Sequence, residues 1–172
     1  MELSTGVQNL MAGSFRTGSG YDAHRFCEGR PLILCGVTVP YDRGLAGHSD
    51  ADAPAHALTD ALLGALALGD IGKLFPDTDD AFLNADSIQL LKKAYSLPAF
   101  REWEISNIDL TIVTQKPKIS PFTDAMRQNI AHALGISIEQ VSIKGKTTEG
   151  MGFCGRGEGL EAFASVLLEK RK

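Results

Sequence analysis

The order in which strand-like and helix-like patterns follow one another is the feature of this 172-residue chain that most constrains its fold. Alternating apolar and polar residues predict half-buried strands, and apolar residues that recur every three to four positions predict helices. The predicted strands are Phe15–Tyr21, Pro31–Pro40, Ile105–Gln115, Val141–Thr147 and Leu160–Leu168. The predicted helices are Asp50–Leu68, capped by Ser49 or Asp50, then Asp86–Tyr95, and a third that is capped by Ser120.

Strands and helices alternate only in part along this order, which favours an α+β fold over a doubly wound sheet. We therefore predict a two-layer sandwich in which a mixed β-sheet carries its helices on one face. Several sheet positions are apolar on both sides, so we expect the other face to pack against further subunits. The length suits a single domain, predicted over residues 15–172, with residues 1–14 as a flexible N-terminal extension.

The charge balance limits the classes of partner. Lys and Arg number 17 against 21 Asp and Glu, whereas a general nucleic-acid binder needs a basic face. No apolar run approaches the about 18 residues of a membrane span, and Met1–Ser14 resembles neither a signal nor a transit peptide. Three cysteines are too few for a disulfide framework. The sequence thus predicts a cytoplasmic protein without nucleic-acid or membrane partners.

One group of residues has the composition of a metal site. Asp22 and His24 are two residues apart, so in an extended segment their side chains point to the same side. His56 lies in the first predicted helix, and two histidines with one carboxylate are a usual ligand set of catalytic zinc. Asp60, four residues further on, is predicted to orient the His56 ring. The alternative is that both histidines are hydrogen-bonded residues without a ligand role.

A second group has the composition of a phosphate-binding segment. Residues 146–159 follow a predicted strand and include five glycines, whose exposed amides can approach phosphate oxygens. Threonine hydroxyls and Arg156 add donors, and Glu149 offers an oxygen ligand to magnesium. The loop 69–79 is either a second substrate-binding loop or a simple cap and turn. The absence of a Walker loop and of a dinucleotide fingerprint disfavours kinases, other NTPases and Rossmann enzymes. A purely structural glycine-rich hairpin is the alternative for residues 146–159.

Together these segments resemble the 2-C-methyl-D-erythritol 2,4-cyclodiphosphate synthase family of non-mevalonate isoprenoid biosynthesis. The resemblance extends from about Gly18 to the C-terminus. Its motifs are Gly20–His24, Gly47–Asp52, His56–Gly64, Gly69–Asp79, Thr147–Glu149 and Gly155–Gly159.

The resemblance implies specific roles for these residues. The implied zinc ligands are Asp22, His24 and His56, and the implied magnesium or manganese ligand is Glu149. His48 and Thr147 are implied to assist the transition state. The resemblance also implies a homotrimer with an active site at each subunit interface.

The substrate contacts implied by the resemblance fall in several short segments. They are Asp22, Ala23, His24, His48, Ser49, Asp70, Ile71, Gly72, Phe75, Pro76, Asp77, Thr78, Asp79, Thr114, Gln115, Lys116, Pro117, Lys118, Ile119, Ser120, Lys146, Thr147, Thr148, Glu149, Phe153 and Arg156.

The implied activity is that of a phosphorus–oxygen lyase. In 4-diphosphocytidyl-2-C-methyl-D-erythritol 2-phosphate, the 2-phosphate attacks the β-phosphorus, CMP leaves, and a cyclic diphosphate forms. The substrate supplies its own nucleophile, so positioning and electrostatic stabilisation are the main tasks of the protein. Two alternatives remain open at this point: a zinc-dependent phosphoesterase that activates water, and a non-catalytic module that binds a phosphorylated metabolite.

Overall fold

A computed structural model describes residues 13–172 of the chain. Its strands are β1 (Phe15–Cys27), β2 (Leu32–Leu34), β3 (Val37–Val39), β4 (Gly44–Leu45), β5 (Trp103–Val113), β6 (Val141–Lys146) and β7 (Gly159–Lys170). Its α-helices are α1 (Ala53–Ala65), α2 (Ile71–Leu74), α3 (Ser87–Tyr95), α4 (Thr123–Leu134) and α5 (Gly152–Gly155). Four short 3₁₀-helices span Asp80–Phe82, Pro98–Glu102, Ser120–Phe122 and Ile138–Gln140.

Five of the strands form one sheet in the order β4-β1-β7-β5-β6. The β5–β6 pair is parallel, and the β1–β4, β1–β7 and β5–β7 pairs are antiparallel, so the sheet is mixed. β2 and β3 form a separate antiparallel hairpin. The predicted α+β architecture with a mixed sheet is therefore confirmed.

Helix α1 lies directly against β1 because two glycines of that strand leave room for it. A methyl group on Gly18 would overlap the Ala61 carbonyl oxygen, and one on Gly20 would overlap that of Ala57. Asp22 and His24 follow these glycines at intervals of two residues, so they lie on the same face of β1. The close approach therefore brings the α1 side chains next to those of Asp22 and His24.

The hydrophobic core lies between the sheet and the helices. Alternate residues of β5, including Ile108, Leu110 and Ile112, are buried as their pattern predicts. The opposite face of the sheet exposes large apolar residues, among them Tyr21 and Phe163, whose rings lie 5.0 Å apart. Burying such a face requires another surface.

Several local predictions are wrong. Pro31–Pro40 is not one strand but the β2–β3 hairpin, because Cys35 and Gly36 both adopt positive φ angles and reverse the chain. Helix α1 is capped by Asp52, whose carboxylate accepts the Ala55 N–H at 3.1 Å, and not by Ser49 or Asp50. The third predicted helix begins as a 3₁₀ turn over Ser120–Phe122, so Ser120 is not its cap, and α4 begins at Thr123.

The ends of the predicted elements also shift. β1 continues to Cys27, six residues beyond the predicted end at Tyr21, and therefore includes the Asp22 and His24 positions. Most of the predicted extension, residues 1–12, lies outside the described residues. No helix within residues 13–172 is long and apolar enough to cross a membrane.

Candidate active site

Asp22, His24 and His56 converge at one point between β1 and α1. Asp22 Oδ2 lies 2.9 Å from His24 Nε2 and 2.9 Å from His56 Nδ1. The two ring nitrogens lie 3.4 Å from each other, and all candidate ligand atoms are within 4.8 Å of one another. The predicted group of three is thus assembled by the fold.

Each imidazole is oriented through the nitrogen that faces away from this point. His24 Nδ1 lies 2.7 Å from the Ala46 carbonyl oxygen, which can only accept, so Nδ1 carries the proton. His56 Nε2 lies 2.8 Å from Ser87 Oγ and 3.1 Å from Ser49 Oγ. His24 Nε2 and His56 Nδ1 are left to face the carboxylate, as in a zinc site whose histidines are fixed through their second nitrogens.

The prediction that Asp60 orients His56 is wrong. Asp60 Oδ1 accepts the backbone N–H of Ile71 at 2.7 Å and so holds the start of α2. The partner of His56 is Ser87, the first residue of α3, which lies 31 positions away and carries no spacing signal in the sequence.

The triad also shifts the proton affinities of its members. Burial favours a raised pKa for Asp22, but hydrogen bonds from His24 and His56 outweigh it and hold the pKa well below its ordinary value. Burial favours a lowered pKa for His24, but the hydrogen bond and charge of Asp22 raise it. Asp22 is consequently a carboxylate at neutral pH, the form that binds a cation.

A cleft of about 360 Å³ opens beside the triad. His48 and Ser49 reach it from the segment after β4, and Ile71, Gly72, Phe75 and Asp77 reach it from the segment after α1. Arg30 holds the first of these segments, because its guanidinium donates to the Gly47 carbonyl at 2.6 Å and to the Ser49 carbonyl. Neither Arg30 nor the cleft residues Phe82 and Leu90 were predicted from the sequence.

A second cleft of about 140 Å³ lies at the ends of β5 and β6. The predicted substrate residues that line it are Thr114, Gln115, Pro117, Lys118, Ile119, Ser120, Lys146 and Thr147. The structure therefore divides the predicted substrate residues between two clefts, named here the triad cleft and the lysine cleft.

The sheet register gives the separation of the two clefts. Asp22 pairs with Ala162, Ala162 with Ile112, and Ile112 with Gly145. Three strand spacings of about 4.8 Å place Asp22 roughly 14 Å from Gly145, at the same level of the sheet. The two groups of residues are thus carried by strands that lie three strand spacings apart.

The predicted residues of the glycine-rich segment lie mostly at the surface, and Lys146 and Thr147 at its start line the lysine cleft. Thr147 Oγ1 donates to Glu149 Oε1 at 2.6 Å, and Glu149 has a positive φ of 52°. The Gly150 N–H donates to Gln115 at 3.2 Å, and Arg156 Nε donates to Glu158 Oε1 at 2.6 Å. Thr148 donates to the Met151 carbonyl, and Phe153 is exposed.

The remaining predicted contacts line neither cleft with their side chains. Asp70 caps α2 through the Lys73 N–H, and Asp79 caps the following 3₁₀ turn through the Ala81 N–H. The Ala23 side chain lies on the exposed face of β1, opposite the triad. Pro76, Thr78 and Lys116 belong to the segments that carry the cleft residues.

Known proteins resemble this chain over almost its whole length. Residues 15–169 match the model of the YgbB family. A 2-C-methyl-D-erythritol 2,4-cyclodiphosphate synthase of Geobacter metallireducens is 55% identical over 156 residues, which cover 91% of this chain and 99% of that protein.

Solved structures also resemble this chain. The bifunctional IspDF of Campylobacter jejuni superimposes with a TM-score of 0.88 at 47% identity, covering 92% of this chain and 43% of that longer one. Plasmodium falciparum IspF in complex with CDP superimposes with a TM-score of 0.81 at 35% identity, covering 94% and 99% of the two chains. The chain belongs to the YgbB family, which includes the 2-C-methyl-D-erythritol 2,4-cyclodiphosphate synthases.

Proposed function

We propose that the chain converts 4-diphosphocytidyl-2-C-methyl-D-erythritol 2-phosphate to 2-C-methyl-D-erythritol 2,4-cyclodiphosphate and CMP. The observation that carries this proposal is the convergence of Asp22, His24 and His56 beside the triad cleft, in a chain 55% identical to an enzyme of that name. The CDP complex of a related structure supports a cytidine nucleotide as part of the ligand.

The reaction is an intramolecular phosphoryl transfer. An oxygen of the 2-phosphate forms a bond to the β-phosphorus, and the bond from that phosphorus to the CMP oxygen breaks, so water is not consumed. The protein must fold the substrate until these groups are in line and must balance its crowded negative charge. The triad cleft, lined by three histidines and a single carboxylate, that of Asp77, suits both tasks.

Two cation sites complete the proposal. Asp22, His24 and His56 fit zinc, since their donor atoms face one point and their other ring nitrogens are already occupied. Glu149 is the proposed ligand of magnesium or manganese, because its exposed carboxylate is hydrogen-bonded to Thr147, which lines the lysine cleft. When bound, such cations polarise phosphoryl oxygens and offset their charge.

The chain's own side chains orient the reacting groups. His48 lines the triad cleft and is proposed to donate to a phosphate oxygen as charge develops in the transition state. Thr147 lines the lysine cleft and is proposed to do the same from the other side. The remaining predicted contacts are proposed to hold the diphosphate, the sugar alcohol and the cytidine.

We further propose a homotrimer in which the triad cleft of one copy meets the lysine cleft of the next. Two observations support it: the roughly 14 Å between the clefts within one chain, and the exposed apolar face around Tyr21 and Phe163. Packing such faces together would bury them and unite the two halves of each site. The single domain over residues 15–172, the cytoplasmic location and the lack of nucleic-acid and membrane partners stay predictions.

Phosphorus NMR tests the reaction. Purified protein is given the cytidylylated 2-phosphate with magnesium, with and without a zinc chelator. We expect CMP and two coupled diphosphate resonances of a cyclic product, both lost on chelation and restored by added zinc.

The same spectra separate the alternatives. Release of inorganic phosphate would instead indicate a phosphoesterase that activates water. An unchanged substrate spectrum from a zinc-loaded protein would indicate a binding module. For variants of the triad such as Asp22→Ala, the matched control is Asp42→Ala, because Asp42 is an exposed aspartate that lies 3.8 Å from Arg43 and outside both clefts. This variant is expected to give the wild-type spectrum.

A further inference from the structure

A chain of hydrogen bonds leads from His56 away from the triad cleft. His56 Nε2 lies 2.8 Å from Ser87 Oγ. Ser87 Oγ in turn donates to Asp50 Oδ1, and the Ser87 N–H donates to Asp50 Oδ2 at 3.0 Å. The Asp50 carboxylate therefore holds Ser87 through both its side chain and its backbone.

The chemistry of the three groups fixes the direction of these bonds. A carboxylate only accepts, so the single hydroxyl proton of Ser87 points to Asp50. Ser87 Oγ then presents a lone pair to His56, and His56 Nε2 must carry the proton. This selects the tautomer in which the Nδ1 lone pair faces Asp22 and His24.

Asp50 is itself held from two sides. Its Oδ1 accepts the N–H of Asp52 at 3.2 Å, and its own backbone N–H donates to the Ala85 carbonyl at 3.0 Å. The bond between residues 50 and 85 ties the segment after β4 to the segment before α3. Ser87 and His56 are consequently fixed relative to each other, although they belong to different helices.

Burial excludes a direct role of Ser87 in binding substrate. The Ser87 side chain is fully buried and does not line the triad cleft, whereas Ser49, the other hydroxyl near His56, does. Ser49 Oγ also lies farther from His56 Nε2, at 3.1 Å, and accepts the N–H of Ala51. The contact of Ser87 with His56, at 2.8 Å, is also shorter than its contact with Ser49, whose Oγ lies 3.5 Å from Ser87 Oγ. The main effect of Ser87 on the site is therefore expected through His56.

We propose that Asp50 and Ser87 are positioning residues that fix the ring plane and the tautomer of His56 as a zinc ligand. The proposal rests on the zinc site of the proposed function. Groups that support a metal-bound histidine in this way typically change metal affinity by about 10- to 100-fold when they are removed.

The first test measures zinc affinity without substrate, by competition with a chelator of known affinity. We expect Ser87→Ala to weaken zinc binding by about 10- to 100-fold. Ser96→Ala is the matched control, because Ser96 lies at the other end of α3 and its hydroxyl donates only to the Lys93 carbonyl. It is expected to bind zinc as tightly as the wild type.

A second measurement reports on the His56 ring itself. In nitrogen-15 NMR of the zinc-loaded wild type, His56 should show a proton on Nε2 that exchanges slowly with water. Ser87→Ala should speed this exchange more than that of the backbone N–H groups of α3, whereas a merely structural serine would speed both together by lowering stability.

Asp50→Asn tests the far end of the hydrogen-bond chain. It also keeps the proposal testable if the Ser87 variant folds poorly. An amide offers one acceptor oxygen where the carboxylate offers two, so zinc affinity should fall severalfold. Because Asp50 acts through Ser87, the substitution should add little on the Ser87→Ala background.

Wild-type zinc affinity in either folded single variant, or fully additive losses in the double variant, would overturn the proposal. These outcomes are independent of the phosphorus NMR. A zinc-binding protein that forms no cyclic product would contradict the proposed function and leave the positioning role standing.

Discussion

The triad cleft and the lysine cleft lie at the same level of one sheet, yet their polar groups are held in different ways. In the triad cleft each ligand side chain has partners inside the chain: Ala46 and Ser87 for the two histidines, and both histidines for Asp22. Beside the lysine cleft, Lys146, Thr147 and Glu149 are exposed.

This difference indicates that the triad cleft and the lysine cleft bind their ligands in different ways. Partly buried, mutually bonded groups are arranged before a ligand arrives and lose little entropy on binding it. Exposed cations and hydroxyls cost more to order, but they can adapt to the flexible nucleotide and the neighbouring subunit of the proposed function. We infer that the groups of the first region are arranged before the substrate binds, whereas those of the second region become ordered on binding.

The largest expected effect comes from removing a triad ligand. Asp22→Ala leaves two histidines with no carboxylate between them, so zinc content and turnover should fall together, by more than about 100-fold, beyond the usual effect of an indirect support. Metal analysis and the phosphorus NMR assay measure the two quantities. Full zinc occupancy with normal turnover would show that the metal assignment is wrong.

Stability measurements also distinguish buried from exposed polar groups. Near the triad, one buried carboxylate holds both the turn between β2 and β3 and the start of α1. Asp52 accepts the N–H groups of Cys35, Gly36 and Ala55 and is fully buried. Asp52→Ala leaves these donors without a partner and should lower the free energy of unfolding by about 3 kcal/mol or more.

The control for Asp52 is an exposed helix cap. Asp86 caps α3 through the N–H groups of Ile88 and Gln89 but is open to solvent, which can replace it. Asp86→Ala should therefore cost only about 1 kcal/mol in denaturant unfolding. Equal losses from the two caps would mean that burial does not distinguish them.

Much of the triad cleft was predictable, because it depends on short-range periodicity. The two-residue interval placed Asp22 and His24 on one face of a strand, and the helical pattern placed His56 on α1. Helical spacing failed for Asp60, because the His56 ring turns to β1 and Ser87 rather than along its own helix. Ser87 and Arg30 act across long stretches of chain, which no local pattern reports.

The separation of the clefts was not predictable from motifs. The motifs supplied all of the predicted contacts as one set, whereas only the strand order β1-β7-β5-β6 shows that they form two groups. The β2–β3 hairpin was missed because its reversal depends on a positive φ at Cys35, a residue that seldom adopts one.

A smaller effect is expected at the lysine cleft. Glu149→Gln retains the shape of the side chain but removes its charge, so magnesium affinity should fall about tenfold while zinc stays bound. Magnesium titration of turnover and metal analysis test this. Glu139→Gln, at an exposed position in the remote 3₁₀ turn, is the control. Loss of zinc from the Glu149 variant would indicate that the two cation sites are not separate.

The smallest effect concerns the ion pair of Arg156 and Glu158. The hydrogen bond from Arg156 lowers the pKa of Glu158, so the contribution of the pair is present above the ordinary pKa of 4.5 and is lost as pH falls through the lowered value. Arg156→Ala should raise the pKa of Glu158 in a carboxyl NMR titration and barely change stability at pH 7, because both groups are exposed. An unchanged pKa would show that the pair does not persist in solution.

The measurement that tests the account most directly mixes two inactive variants. Asp22→Ala removes the triad half of the site, and Thr147→Ala removes the lysine-cleft half. The two chains are coexpressed with different tags, and mixed trimers are purified through both. If neighbouring copies complete each other, every mixed trimer contains one intact site, and activity should return to about one third of the wild-type value. Mixed assemblies no more active than their parents would contradict a site shared between copies.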